Sequence, residues 1–326
     1  MQNAMSHHQT CLPNPSPLRQ TEPRLSRKHG TPSSFCPVTT QKSSSPWSGW
    51  RASVTGRSLI TQLCVGLMLI NSPLPTSAQV AGTLVIAGNG PEQATIEALA
   101  RAFEKANPRA YIDILWDEDS TPVQLVQTGQ AQIAVTGMKD ATLTASQIGW
   151  DGLGILVHLS NFTKEVTTQQ VADVFSGKVR EWSELGGPET RILLIDRSHT
   201  QNIRETFESL LGITGKIPGT AKVIGPDDTV VKTVVGTLPP LSAVAYVSLS
   251  TGLSAVSNGV AIRLLPVDKI EPEVPTVRDG RYSLRRPLLL LSKKETNPLV
   301  ETFIAFALSP PGQAIVGELY VAMPTK

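Results

Sequence analysis

This 326-residue sequence predicts an α/β fold, with sheets flanked by helices. Two observations predict it. From residue 83 onward, short β-rich apolar runs alternate with amphipathic helical patterns, the alternation that builds parallel βαβ units. The part carrying these signals, residues 79–326, is long enough for one two-lobed unit or two small domains.

The first strand signal covers 83–87 and ends at Gly88-Asn89-Gly90. A helix follows from Pro91, which suits a first-turn position; Ile96, Leu99, Ala100 and Phe103 share one face, and Asn107-Pro108 stops it. Residues 111–116 read as a strand, a helix begins at Pro122, and 132–135 is the next strand. A second set opens with the apolar run 154–159. Thr167 then caps a helix whose Val171, Val174 and Phe175 form one face until Gly177 ends it. Residues 191–196 read as a strand and 202–211 as a helix. Strands over 243–249, 261–265 and 287–291 and two C-terminal helices complete the pattern.

Residues 1–55 are rich in Ser, Pro, Thr and Gln with little apolar periodicity. They are expected to be a disordered extension, or to lie upstream of the true start. Arg51 and Arg57 precede an apolar run over 59–70 and then Pro73, Pro75 and Thr76-Ser77-Ala78, the order of a secretory signal. Residues 56–78 are therefore expected to be a signal peptide cleaved after Ala78; the run is shorter than the ~20 residues a membrane span needs. Cys11, Cys36 and Cys64 all precede that site, so the processed chain is expected to have no disulfide and no thiol nucleophile. Cys64 lacks the small residues that precede a lipoprotein cysteine, which favours a soluble product. Seven of the 29 Lys and Arg residues but one of the 27 acids precede residue 79, so the formal +2 becomes −4 for the remainder.

Several stretches carry a family resemblance. The strand opening Asp151-Gly152-Leu153, the helix end VADVFSGK (171–178) and the turn WSELGG (182–187) resemble the periplasmic phosphate-binding proteins of ABC transporters. So do RETFESLLG (204–212), AVAYVSL (243–249), VPTVRDGRYSLRRPLLL (274–290) and NPLVETFIAFALSPPGQAIV (297–316). The resemblance implies a two-lobed, type II periplasmic-binding-protein fold, mixed sheets flanked by helices with a hinge between the lobes. Lobe one is then expected over 79–155 and 243–326 and lobe two over 156–242.

Loops between strand ends and helix N-termini, where free N–H groups and the helix dipole favour an anion, are the expected ligand shell. In the family they carry Gly-Ser-Thr-like, Gly-Ser-Gly and R-x-x-G-S-G-T sequences; this chain keeps the framework and loses most hydroxyls. At the first loop Gly88, Asn89 and Gly90 keep amides, while Pro91 deletes one; the two glycines serve either a ligand or a tight turn. The second loop, Asp117-Glu118-Asp119-Ser120-Thr121, puts three carboxylates where an anion would be repelled. It reads as a solvated turn with Ser120 or Thr121 capping the helix from Pro122, or as a cation or amine site. Thr136 supplies a hydroxyl after the third strand, Gly137 cannot accept the proton of HPO₄²⁻, and Lys139 reads as a surface residue. The fourth loop begins at Arg197, the strongest anion contact, and continues to Gln201 and Asn202, whose amides both donate and accept and so suit a less charged ligand. Arg204 with Glu208 reads as a helix-surface pair, and His199 as exposed.

These readings lead to a non-enzymatic, secreted or periplasmic substrate-binding protein without cofactor or metal. It is expected to act as a monomer, capturing a small anionic ligand, phosphate or a related oxyanion, for an ABC transporter permease and not binding nucleic acid. A diverged member with another ligand, or a sensor or adaptor, is the alternative. A phosphatase is disfavoured by the lack of cysteine, His-rich metal spacing or a Gly-x-Ser-x-Gly elbow in residues 79–326.

Overall fold

The computed structural model describes residues 80–295 and 297–324. The extension expected over 1–55, the signal peptide expected over 56–78 and the three cysteines lie outside the described residues.

β1 (Gly82–Gly88) and β2 (Ala110–Trp116) pair in parallel through α1 (Gln93–Ala106), in register from Gly82↔Ala110 to Gly88↔Trp116. α1 buries Ile96, Leu99, Ala100 and Phe103 as one stripe; it starts two residues after Pro91, with Glu92 at the N-cap and Asn107 at the C-cap. α2 (Pro122–Thr128) leads to β3 (Ile133–Thr136), parallel to β1 on the side away from β2. The cap expected on α2 does not form. Thr121 stands at the N-cap position, but its hydroxyl donates to Gln124 Oε1 at 3.0 Å, and Ser120 Oγ points instead to Gly88 O at 3.5 Å.

β4 (Thr144–His158) is far longer than the expected 154–159. Its first half carries Thr144, Ser146, Gln147 and Asp151, which hide a strand from a search for apolar runs. Next come α3 (Thr168–Phe175), with Thr167 in a capping box, a 3-10 turn (Trp182–Leu185), β5 (Leu193–Asp196), α4 (Asn202–Leu211) and β6 (Lys222–Val223). α5 (Asp227–Gly236), β7 (Ala243–Ser248), α6 (Leu249–Ser257), β8 (Ile262–Leu265) and α7 (Val274–Asp279) follow; the three helices go beyond the elements expected from the sequence. β9 (Arg285–Ser292), α8 (Pro298–Leu308), α9 (Pro310–Val316) and β10 (Val321–Ala322) close the fold.

The strands run in the order β2-β1-β3-β9-β4-β7-β5-β6, with β8 and β10 also on β4. β4 is antiparallel to β9 through its first half, from Thr144↔Ser292 to Gly152↔Arg285, and to β7 and β8 through its second. Each half lies in a separate apolar core. In one, Leu84, Ile86 and Phe103 pack with Leu288 and Leu290 of β9 and with α8, where Phe103 meets Phe303 edge-on at 5.4 Å. In the other, Leu153, Ile155 and Val157 pack with Phe175, Phe207 and Tyr246; the last two rings stack at 3.9 Å. Residues expected in lobe one share this second core, among them Val244, Leu249, Leu265, Val277 and Tyr282. The reason is β4: once its second half pairs with β7 and β8, the chain does not rejoin the first core until β9.

Candidate binding cleft

The loops after β1, β2 and β5 meet at one cavity of about 530 Å³, bounded by Asn89, Gly90, Trp116, Glu118, Arg197, Gln201 and, across from them, Gly225 and Asp227. This is the crevice beyond the carboxyl ends of strands, where open α/β sheets hold ligands.

Asn89 ties the two sides together. It is buried, its Nδ2 donates to Ser120 O at 3.0 Å and Thr200 O at 2.7 Å, and its Oδ1 accepts from the backbone N–H of Asn202 at 3.1 Å. The α4 N-terminal amide expected to face an anion is thus bonded to a side chain of the protein. Asn202 goes further: its Nδ2 donates to Glu92 Oε2 at 3.3 Å and Val135 O at 3.4 Å, while its Oδ1 accepts from Arg286 Nη1 at 2.6 Å.

Arg286, on β9, is the centre of a buried charge cluster. Its guanidinium bonds Glu92 Oε1 and, through Nε and Nη2, Asp151 Oδ2 at 3.1 and 3.0 Å. All three side chains are at most 3% exposed. Two carboxylates share one cation, and the excess shows in Asp151. Burial outweighs the Arg286 charge, Glu92 adds repulsion, and the carboxyl is pushed up to about 6, although Ser248 Oγ donates to it at 2.9 Å. Burial also opposes the charge on Arg286, but Glu92 and Asp151 outweigh it and hold the guanidinium above its ordinary value.

Arg197, the expected anion contact, is likewise engaged. It is 2% exposed, bonds Asp227 Oδ1 and the Gly225 carbonyl, and donates to Tyr246 O at 3.2 Å. Asp227 in turn accepts from the Ser248 N–H at 2.9 Å. Arg204 is not the surface pair expected: besides Glu208 at 2.9 Å it reaches buried Asp196 at 3.1 Å and the Arg197 carbonyl at 3.3 Å, so it braces the loop that carries Arg197.

The remaining expected ligands separate into close-packed glycines and occupied hydroxyls. At Gly88 a Cβ would lie 2.2 Å from the Trp116 ring, and at Gly90 2.3 Å from Glu92 Oε2. At Gly137 it would lie 2.4 Å from Thr206 Oγ1 and 3.3 Å from Arg286 Nη1, so this glycine admits α4 and the guanidinium. Thr136 is buried and its hydroxyl accepts from the Met138 N–H at 3.1 Å. Lys139 and His199 are exposed; Thr121 and Lys139 border a second cavity of about 220 Å³ that Thr136 and Asn202 also reach. The three acids of the second loop part company. Asp117 accepts from the Asp119 N–H, Asp119 accepts from Ser198 Oγ at 3.1 Å, and only Glu118 lines the main cavity. Burial pushes the Glu118 carboxyl up; Arg197 pulls it down, and Asp119 and Asp117 push it further up.

Sequence reasoning missed Glu92, Trp116, Asp151, Asp227 and Arg286. A signal existed for two of them: Asp151 and Arg286 are opposite charges at facing positions of paired, mainly apolar strands, and charged side chains in such places are buried only with partners. Glu92 and Asp227 sit in helix starts where an acid is ordinary, and nothing local marks them.

A family model described as a PBP superfamily domain matches residues 74–311. The chain belongs to this superfamily. It is 24% identical over 239 residues to the phosphate-binding protein PstS of Bacillus subtilis, covering 71% of this chain and 77% of that one. A Clostridium perfringens crystal structure with bound phosphate superposes with a TM-score of 0.66 at 24% identity, and an ABC-type phosphate transport receptor from Vibrio cholerae with 0.65 at 23%; each alignment covers 74% of this chain and 100% of the other. These likenesses bear out the two-lobed, type II periplasmic-binding-protein fold expected from the sequence.

Proposed function

We propose that the chain is the secreted or periplasmic substrate-binding component of an ABC transporter, a non-enzymatic monomer that closes two lobes on phosphate or a related oxyanion and presents it to a permease. The observation that carries the reading is the meeting of the loops after β1, β2 and β5 at one cleft cavity, drawn from both apolar cores. The relatives named for phosphate binding supply the ligand class. In this reading Asn89, Gly90, Arg197 and Gln201 form the shell of the main cavity, Thr121, Thr136 and Asn202 border the smaller cavity beside it, and Gly88, Ser120 and Gly137 support the loops that carry them. The two cores favour lobes that divide within β4 and rejoin at β9, in place of the crossing at residue 243.

A second reading, a diverged ligand, is favoured by one observation: both buried arginines, Arg197 and Arg286, already hold carboxylates of the protein. Titration calorimetry of the purified protein with phosphate, sulfate and small carboxylates separates the two. Saturable phosphate heat at micromolar concentrations supports the oxyanion; silence below millimolar overturns it.

A further inference from the structure

Among the described residues, seven hydrogen bonds tie the stretch 198–202, which leads into α4, to Glu92, Arg286 and the loops at the ends of β1, β2 and β3. α4 packs in the second apolar core, and β1, β2 and β3 belong with the first, so these bonds cross the seam between the two. Asn89 Nδ2 donates to Thr200 O at 2.7 Å, and its Oδ1 accepts from the Asn202 N–H at 3.1 Å. Asn202 Nδ2 donates to Glu92 Oε2 at 3.3 Å and Val135 O at 3.4 Å, and its Oδ1 accepts from Arg286 Nη1 at 2.6 Å. Nearer the surface, Thr200 Oγ1 donates to Glu118 O at 2.9 Å and Ser198 Oγ donates to Asp119 Oδ1 at 3.1 Å.

Packing along the seam is as close as the bonding. A Cβ at Gly90 would lie 2.7 Å from Asn202 Nδ2, and one at Gly137 would lie 2.4 Å from Thr206 Oγ1; Gly225 admits the Glu118 carboxylate in the same way. Asn89 and Asn202 are 2% and 3% exposed, so the seam also shuts out water. A cleft that closes only on its ligand keeps these donors for that ligand, because closure then depends on the bonds the ligand adds. Here the loops bond one another directly. Each net hydrogen bond shifts a two-state equilibrium about fivefold, so three acting together favour the closed form roughly a hundredfold.

We propose that Asn89, Ser198, Thr200 and Asn202 form a latch that holds the two lobes closed in the free protein, so that closure does not depend on the ligand. The latch rests on the reading of the chain as a two-lobed substrate-binding protein and moves the driving force for closure from ligand to loops. Closure alone then carries no message that the cavity is filled.

Small-angle scattering and amide exchange of the purified protein test it. The double variant Asn89→Ala, Ser198→Ala loses three of the crossing bonds and should show a larger radius of gyration than the parent while melting as cooperatively. Ser198→Ala alone removes one bond and touches neither Asn89 nor Asn202; it should speed exchange of the Asn202 N–H about fivefold, which a purely local contact would not do. Equal radii for parent and double variant overturn the latch, and so does Asn202 exchange that Ser198→Ala leaves unchanged. A parent that contracts when inorganic phosphate is added overturns the latch and upholds the oxyanion. Calorimetric heat from phosphate without contraction upholds both, and expansion of the double variant with no phosphate heat upholds the latch and removes the oxyanion.

Discussion

Replacing Asp151 by asparagine should remove a large part of the pH dependence of stability between pH 4 and 7. Asp151 is 3% exposed and shares Arg286 with Glu92, and burial lifts its carboxyl from the ordinary 3.8 to about 6. A folded-state value above the unfolded one means that the folded protein binds this proton more tightly. The resulting stabilisation is complete below about pH 4 and is lost as pH rises through 6. A rise from 3.8 to about 6 corresponds to about 3 kcal/mol, and solvent does not reach the carboxyl to screen it. Asparagine keeps an oxygen that can accept from Arg286 and removes the ionisation. Urea unfolding of parent and Asp151→Asn at several pH values from 4 to 7.5 measures the difference between them, in which other titrating groups cancel to first order. The parent should lose about 3 kcal/mol relative to the variant across the window. A difference that stays flat from pH 4 to 7 refutes the assignment of the excess charge to Asp151.

Arg197→Ala should cost about 3–5 kcal/mol, because it leaves the Asp227 carboxylate buried without its cation; thermal melts should show Asp227→Asn restoring part of the loss in the double variant. Asn89→Ala removes two donated bonds and one accepted bond between the loops, about 2–4 kcal/mol at typical values, measured by denaturant midpoint. Gly137→Ala places a methyl 2.4 Å from Thr206 Oγ1; overpacking of about 1–3 kcal/mol should lower the melting temperature by several degrees, and Thr206→Ala should recover part of it.

Periodicity exposed the scaffold where one face is apolar. α1 and α3 declare themselves by Ile96-Leu99-Phe103 and by Thr167 with Val171 and Phe175, whose apolar members are buried as expected, and α4 falls over the expected 202–211, burying Ile203 and Phe207. β4 did not, because polar residues, Thr144, Ser146 and Gln147 at its start and buried Asp151 midway, interrupt the apolar pattern of its first half. The charge cluster was hidden too: Asp151 and Arg286 lie 135 residues apart in sequence and meet through β4–β9 pairing. The loop positions themselves were legible. Loops 88–90, 117–121 and 197–202 do come together through Asn89, Thr200 and Glu118. What their side chains do was not, since whether an asparagine faces a ligand or another asparagine is decided by distances that no local pattern carries.

The side chains that stand where the resemblance implies hydroxyls and glycines are bonded within the protein, and so are the arginines beside them. Where the family resemblance implies glycine at position 202, this chain has an asparagine whose side chain reaches Glu92, Val135 O and Arg286. Glu92 and Asp151 together satisfy the Arg286 guanidinium within the protein, and none of the three lines the main cavity. An oxyanion can take a place beside Arg286 only if it displaces Glu92 or Asp151, and a displaced carboxylate with no other cation nearby is costly while it stays buried. In the main cavity phosphate meets Arg197 instead, and there it must compete with Asp227, whose carboxylate that guanidinium already bonds. Releasing that arginine with Asp227→Asn should therefore strengthen phosphate binding, and calorimetry showing an unchanged affinity would count against an oxyanion held by Arg197.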